Sequence, residues 1–106
     1  MDVGAEWANW NADMTRTVPV NGRFTDRQRD VYNSVLSVQR GSMDFLRPGV
    51  TQQEWRDHTI DLMEIELIKL GLIDAEEAKK QDSRDRPLVK KYYMHGIGHH
   101  LGLDVH

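Results

Sequence analysis

The sequence predicts an α+β fold, and three features of it carry that reading. A short ribbon pattern opens the chain, two amphipathic helical segments with cap signals follow, and a histidine-rich stretch closes it. The 106 residues suffice for one small domain. With 39% apolar and 29% charged residues, the composition is that of an ordinary globular segment.

Residues 1–18 read as a β-hairpin. Ala8-Asn9 supplies a two-residue turn between Trp7 and Trp10, with Asn9 tolerant of positive φ and Ala8 a poor residue for a primed turn. Counting outward from a Trp7–Trp10 pair sets Val3 against Met14 and Ala5 against Ala12 on an apolar face. On the polar face Glu6 opposes Asn11, Gly4 opposes Asp13 and Asp2 opposes Thr15. One register separates the two faces, which is how a register is fixed. Val18-Pro19-Val20-Asn21-Gly22 ends the second strand.

Thr25 is the expected N-cap of a helix reaching about Leu46, with Val31, Val35, Val38, Ser42 and Phe45 on one stripe. Arg47-Pro48-Gly49 breaks it. Thr51 and Glu54 have capping-box spacing and open a second helix through Trp55, Thr59, Leu62 and Met63 to Leu70, with Gly71 as C-cap. Asp74 is placed to cap a short helix through Glu76, Glu77, Lys79 and Lys80, and residues 81–87 read as charged loop.

Charge and composition exclude several function classes. A formal charge of −3 gives no electrostatic footprint for nucleic acid. No apolar run approaches the roughly 18 residues of a membrane span, and the start at Met1-Asp2 lacks the basic and apolar regions of a signal peptide. Without cysteine there is neither disulfide nor thiolate metal site, which fits a reducing compartment, and a cytoplasmic location is the expectation.

The chemistry lies in carboxylates and histidines. In the predicted register Asp2 is the diagonal neighbour of Asp13, placing their Cβ atoms within about 7–8 Å on one face. Gly4 leaves the gap between them open. Two carboxylates that close repel unless a cation neutralises them; a solvated polar face is the plainer reading of the hairpin by itself. Four of the five histidines, His95, His99, His100 and His106, fall in the last twelve residues. His95 and His99 have the spacing to share one helical face. An Asp/Asp/His donor set suits Mn, Co or Zn. His58, mid-helix among polar neighbours, reads as a surface residue, and Glu6 as exposed or paired with an arginine.

The run DVGAEWANWNADMTRTVP at 2–19 resembles the first metal-ligand segment of Xaa-Pro aminopeptidases and prolidases, and MHGIGHHLGLDVH at 94–106 resembles their histidine segment. Both belong to the pita-bread family, which includes methionine aminopeptidase and creatinase. The resemblance covers essentially the whole chain and implies a partial pita-bread fold. It implies that Asp2 and Asp13 are metal ligands, Asp13 bridging two divalent ions, and that His99 is a ligand of one of them. His95 and His106 match histidines that contact the substrate or the tetrahedral intermediate; His100 has no ligand counterpart. The activity implied is removal of the N-terminal residue from X-Pro peptides by a metal-bridged hydroxide, with Mn the leading metal and Co or Zn as alternatives. A dipeptide-cleaving prolidase and a non-catalytic peptide-binding module remain open, although Tyr92-Tyr93-Met94-His95 resembles the aminopeptidase form more.

The family's two remaining ligands are glutamates that follow the histidine segment. Residues 1–106 are therefore expected to be a fragment of a pita-bread catalytic domain, lacking an N-terminal strand and the C-terminal part. Such a fragment is expected to be inactive, metal-poor and self-associating through its apolar hairpin face.

Overall fold

The structure is a computed structural model that describes residues 1–82 and 85–105. The chain divides into two compact units, one formed by residues 1–24 and 96–106 and the other by residues 25–95.

The first unit is built on the hairpin. Its strands are β1 (Asp2–Val3), β2 (Glu6–Trp7), β3 (Trp10–Asn11) and β4 (Met14–Thr15). β1 pairs antiparallel with β4, Asp2 facing Thr15 and Val3 facing Met14. β2 pairs with β3, Glu6 facing Asn11 and Trp7 facing Trp10. The register is the one the face pattern predicts. Ala8 (φ 51°) and Asn9 (φ 68°) both take positive φ, so the turn has the primed form that matches strand twist, and Ala8 is the strained member. Glu6 stabilises that turn through Oε1, which accepts the Asn9 amide at 2.5 Å; this is the partner Glu6 finds, rather than an arginine.

Between the two ladders the strands stay joined by the Ala12 amide, which donates to the Ala5 carbonyl at 2.9 Å. Here Gly4 is required. A Cβ built on it would lie 2.0 Å from the Ala12 carbonyl oxygen, a backbone atom that cannot swing aside. The apolar face is largely open, with Trp7 at 84% and Trp10 at 61% exposure.

The second unit is helical. α1 (Asp26–Phe45) and α2 (Gln52–Lys69) each begin with a complete capping box, Thr25 with Gln28 and Thr51 with Glu54. α3 (Ala75–Lys80) is capped by the Asp74 carboxylate, which accepts the Glu76 and Glu77 amides. A fourth element, α4 (Pro87–Lys90), occupies the edge of what the sequence presents as charged loop. Pro87 sits in its first turn, where a missing amide costs nothing. Arg86 precedes it at φ 47° and is held by ion pairs to Asp61 (2.5 Å) and Glu64 (2.9 Å).

α1 and α2 pack through a buried polar contact. Ser42 Oγ and Thr59 Oγ1 are 2.7 Å apart, and the Trp55 indole donates to Ser42 Oγ at 2.7 Å. Gly41 permits the close approach, because a Cβ there would stand 2.8 Å from Leu62 Cδ1. The apolar core lies beyond this contact, where Leu67, Ile73, Ala78 and Val89 are buried together and Val89 is the least exposed at 1%. Of the predicted α1 stripe only Val38 and Ser42 are buried; Val31 and Val35 are exposed. No helix among the described residues is long and apolar enough to cross a membrane.

Candidate metal centre

Asp13 follows β3 and is separated from it by Ala12 alone, so the hairpin register fixes its direction. Its Oδ2 lies 3.1 Å from His99 Nε2, with the Asp13 side chain 22% and the His99 side chain 42% exposed. Asp2 lies on β1, where its Oδ1 accepts the Thr15 hydroxyl at 2.7 Å across the ladder. Asp2 and Asp13 line one open groove, together with Gly4, Asn11, Leu103 and Asp104.

The histidine contact has a chemical consequence. His99 Nδ1 lies 3.0 Å from the His100 carbonyl oxygen. A carbonyl only accepts, so Nδ1 carries the hydrogen and Nε2 is the nitrogen left to face Asp13. A neutral imidazole would then direct a lone pair at a carboxylate oxygen. A cation between them, either a proton or a metal ion, resolves that opposition. The donors present therefore fit a divalent metal, with imidazole nitrogen and carboxylate oxygen converging and the second ring nitrogen pinned by a backbone carbonyl. Among the described residues no three Asp, Glu or His side chains gather tightly enough to hold an ion by themselves.

The remaining sequence-predicted residues fall elsewhere. Residues 91–105 contain no helix, so His95 and His99 do not share a helical face; Gly96, Gly98 and Gly102 disfavour one. His95 belongs to the helical unit, where its ring meets Tyr93 edge-on at 4.5 Å. Burial pushes the Tyr93 phenol above its usual range, with Arg56 pulling the other way. His106 lies outside the described residues. His58 is half-buried and stacks on Phe45 at 4.2 Å, so it is a packing residue rather than a bare surface one. Sequence reasoning missed Asn11 and Asp104. Asn11 holds the histidine segment from 92 residues away, for which no local pattern exists. Asp104 stands inside the histidine motif and lines the groove.

Residues 1–106 match the profile of metallopeptidase family M24 over their whole length. The chain belongs to this family. An M24 relative, the Xaa-Pro aminopeptidase of Escherichia coli, is 40% identical over 108 residues, covering 100% of this chain and 23% of the relative. The Xaa-Pro aminopeptidase of Haemophilus influenzae is 38% identical over 108 residues, covering 100% of this chain and 24% of the relative. Among solved M24 structures, zinc-substituted E. coli aminopeptidase P in complex with product superposes with a TM-score of 0.79 at 36% identity, over 99% of this chain and 23% of that one. The fold is thus part of the aminopeptidase P pita-bread fold, and the chain spans about a quarter of the length of these M24 relatives.

Proposed function

We propose that the protein carrying this segment is a dinuclear metal-dependent aminopeptidase that removes the N-terminal residue from X-Pro peptides. The observation that carries the proposal is the 3.1 Å approach of His99 Nε2 to Asp13 Oδ2 on a hairpin whose register aims Asp2 into the same groove. Likeness to Xaa-Pro aminopeptidases over the whole chain supports the substrate class.

In this reading Asp2, Asp13 and His99 would supply three of the metal ligands. Bound divalent ions would activate a water for attack on the scissile carbonyl and offset the charge that develops there. The rest falls to the chain's own side chains. His99 turns Nδ1 to the His100 carbonyl, which leaves Nε2 as the ring nitrogen facing Asp13 and the groove. Thr15 donates to one oxygen of Asp2 and so orients that carboxylate. His95 and His106 act as donors to the peptide, with the Tyr93 edge limiting how the His95 ring turns. Manganese is the proposed native metal, from a donor set of carboxylates with a single imidazole.

The test is hydrolysis by the whole protein of matched peptides with proline or alanine in second place. Release of the first residue from the proline peptide, abolished by chelation and restored by manganese, is expected. Absence of X-Pro cleavage in the metal-loaded protein would refute the proposal.

A further inference from the structure

We infer that Asn11 is a positioning residue of the metal centre: its two amide donors dock the histidine segment on the aspartate hairpin and set which residue of that segment faces Asp13. The inference rests on the metal-centre reading given above. The Asn11 backbone amide donates to the Gly102 carbonyl at 3.0 Å. Its side-chain Nδ2 donates to the next carbonyl, Leu103, at 3.1 Å. Two donors on one residue meeting two consecutive acceptors fix both the position and the direction of the segment, as a single bond cannot.

The surroundings agree. Asn11 is half-buried, and its neighbour Trp10 lies against Gly102, where a Cβ would stand 3.6 Å from the indole ring. Three residues before Gly102 in the chain, His99 meets Asp13, two residues beyond Asn11. Two residues on the hairpin, Asn11 and Asp13, thus meet two residues of the histidine segment, Gly102 and His99, and the two contacts together set the alignment of that segment along the hairpin. Sliding that alignment by one residue would offer Asp13 a glycine (Gly98) or His100, whose ring has no such partner among the described contacts. An asparagine suits the position because its amide donates; aspartate has the same shape but offers only acceptors to the Leu103 carbonyl.

The experiment uses the whole protein with Asn11→Asp, Asn11→Ala and Asn11→Gln, beside His99→Ala as the ligand control. In the metal-free proteins, exchange of the Asn11 backbone amide reports docking directly, since every variant retains that donor. The ¹⁵N resonances of the His99 ring report its environment. Expected is faster Asn11 exchange and a shifted His99 signal in the aspartate and alanine variants, with weaker zinc binding by about 2- to 10-fold, as loss of one net hydrogen bond implies. The glutamine variant, which keeps an amide donor, should recover part of the loss, and melting of the metal-free proteins should change little. Unchanged exchange and His99 signals in Asn11→Asp and Asn11→Ala would overturn the inference, as would a fall in melting temperature that accounts for the whole effect. If an alanine variant fails to fold, the isosteric Asn11→Asp decides. Should His99→Ala bind zinc as the parent does, the metal-centre reading fails, while the exchange data still judge the docking role of Asn11.

Discussion

Replacing Gly4 by alanine tests how the hairpin holds Asp13. The new Cβ would begin 2.0 Å from the Ala12 carbonyl oxygen, and contacts below 3.0 Å are essentially never adopted, so the strands must part by about 1 Å. That displacement falls on the bond from the Ala12 amide to the Ala5 carbonyl, now 2.9 Å, and carries it beyond hydrogen-bonding range. Overpacking of this kind costs about 1–3 kcal/mol, and the lost bond adds about 1 kcal/mol. A total of about 2–4 kcal/mol corresponds to roughly 30- to 700-fold in the local opening equilibrium, at a factor of ten per 1.4 kcal/mol. Native-state hydrogen exchange reads this directly. The Ala12 amide and the Arg16 amide, which donates to Met1 at 2.9 Å, should exchange faster by that order, while amides within α1 keep their protection. If the Ala12 and Arg16 rates are the same in Gly4→Ala as in the parent, the close approach is not what closes this ribbon.

Ser42→Ala removes the shared partner of Thr59 and the Trp55 indole in a buried contact, so a loss of about 1–3 kcal/mol in denaturant unfolding is expected, with a shift in Trp55 emission; an unchanged midpoint would contradict the packing role. Hydrogen bonds from the Thr51 amide and hydroxyl hold the Glu54 carboxylate below its usual range, and a depressed carboxylate pKa stabilises the fold above the unfolded value and loses that contribution as pH falls through the folded one. Glu54→Gln should therefore lower stability at neutral pH, with the difference from the parent closing as pH falls below about 4.5, checked by thermal melts across pH. Self-association through the exposed hairpin face, where Trp7 and Trp10 sit, should appear as dimers or larger species of the 106-residue chain in light scattering; Trp7→Ser should reduce it, and a monodisperse monomer at high concentration would argue against it.

Local chemistry made much of the fold legible. The hairpin register followed from placing Trp7 against Trp10, because one alternation sorted every later pair, and both ladders keep it. Thr25, Thr51 and Asp74 cap the helices they were expected to cap, since capping is a property of a few consecutive residues. What depends on distant partners was not legible. The α1 stripe put Val31 and Val35 on one face with Val38 and Ser42, yet both valines are exposed, because helical periodicity gives a face but not the length of the partner that covers it. The charged loop was read through Pro87 and residues 88–90 were given no element, although proline opens helices as readily as it ends them, and Val89 within α4 is the most buried side chain of the core. At the site, Asp13 and His99 were named from their motifs and the structure brings them together. Helical spacing for His95 and His99 was the wrong geometry, since a glycine-rich stretch pays too much backbone entropy to coil. Asn11 faced Glu6 in the ribbon pattern, and that pairing gave no hint that its side chain reaches the histidine segment.

The central claim is that the Asp13–His99 contact is part of a metal centre, and metal stoichiometry of the whole protein after dialysis tests it most directly. The parent should retain two divalent ions, Asp13→Asn should loosen both, His99→Ala should lose one, and His106→Ala should keep its metal while turnover falls by about 10²–10³-fold, the usual effect of losing one donor to a developing charge. If His99→Ala retains both ions and full activity while His106→Ala is stripped of metal, the histidine segment has been assigned the wrong way round and the account fails.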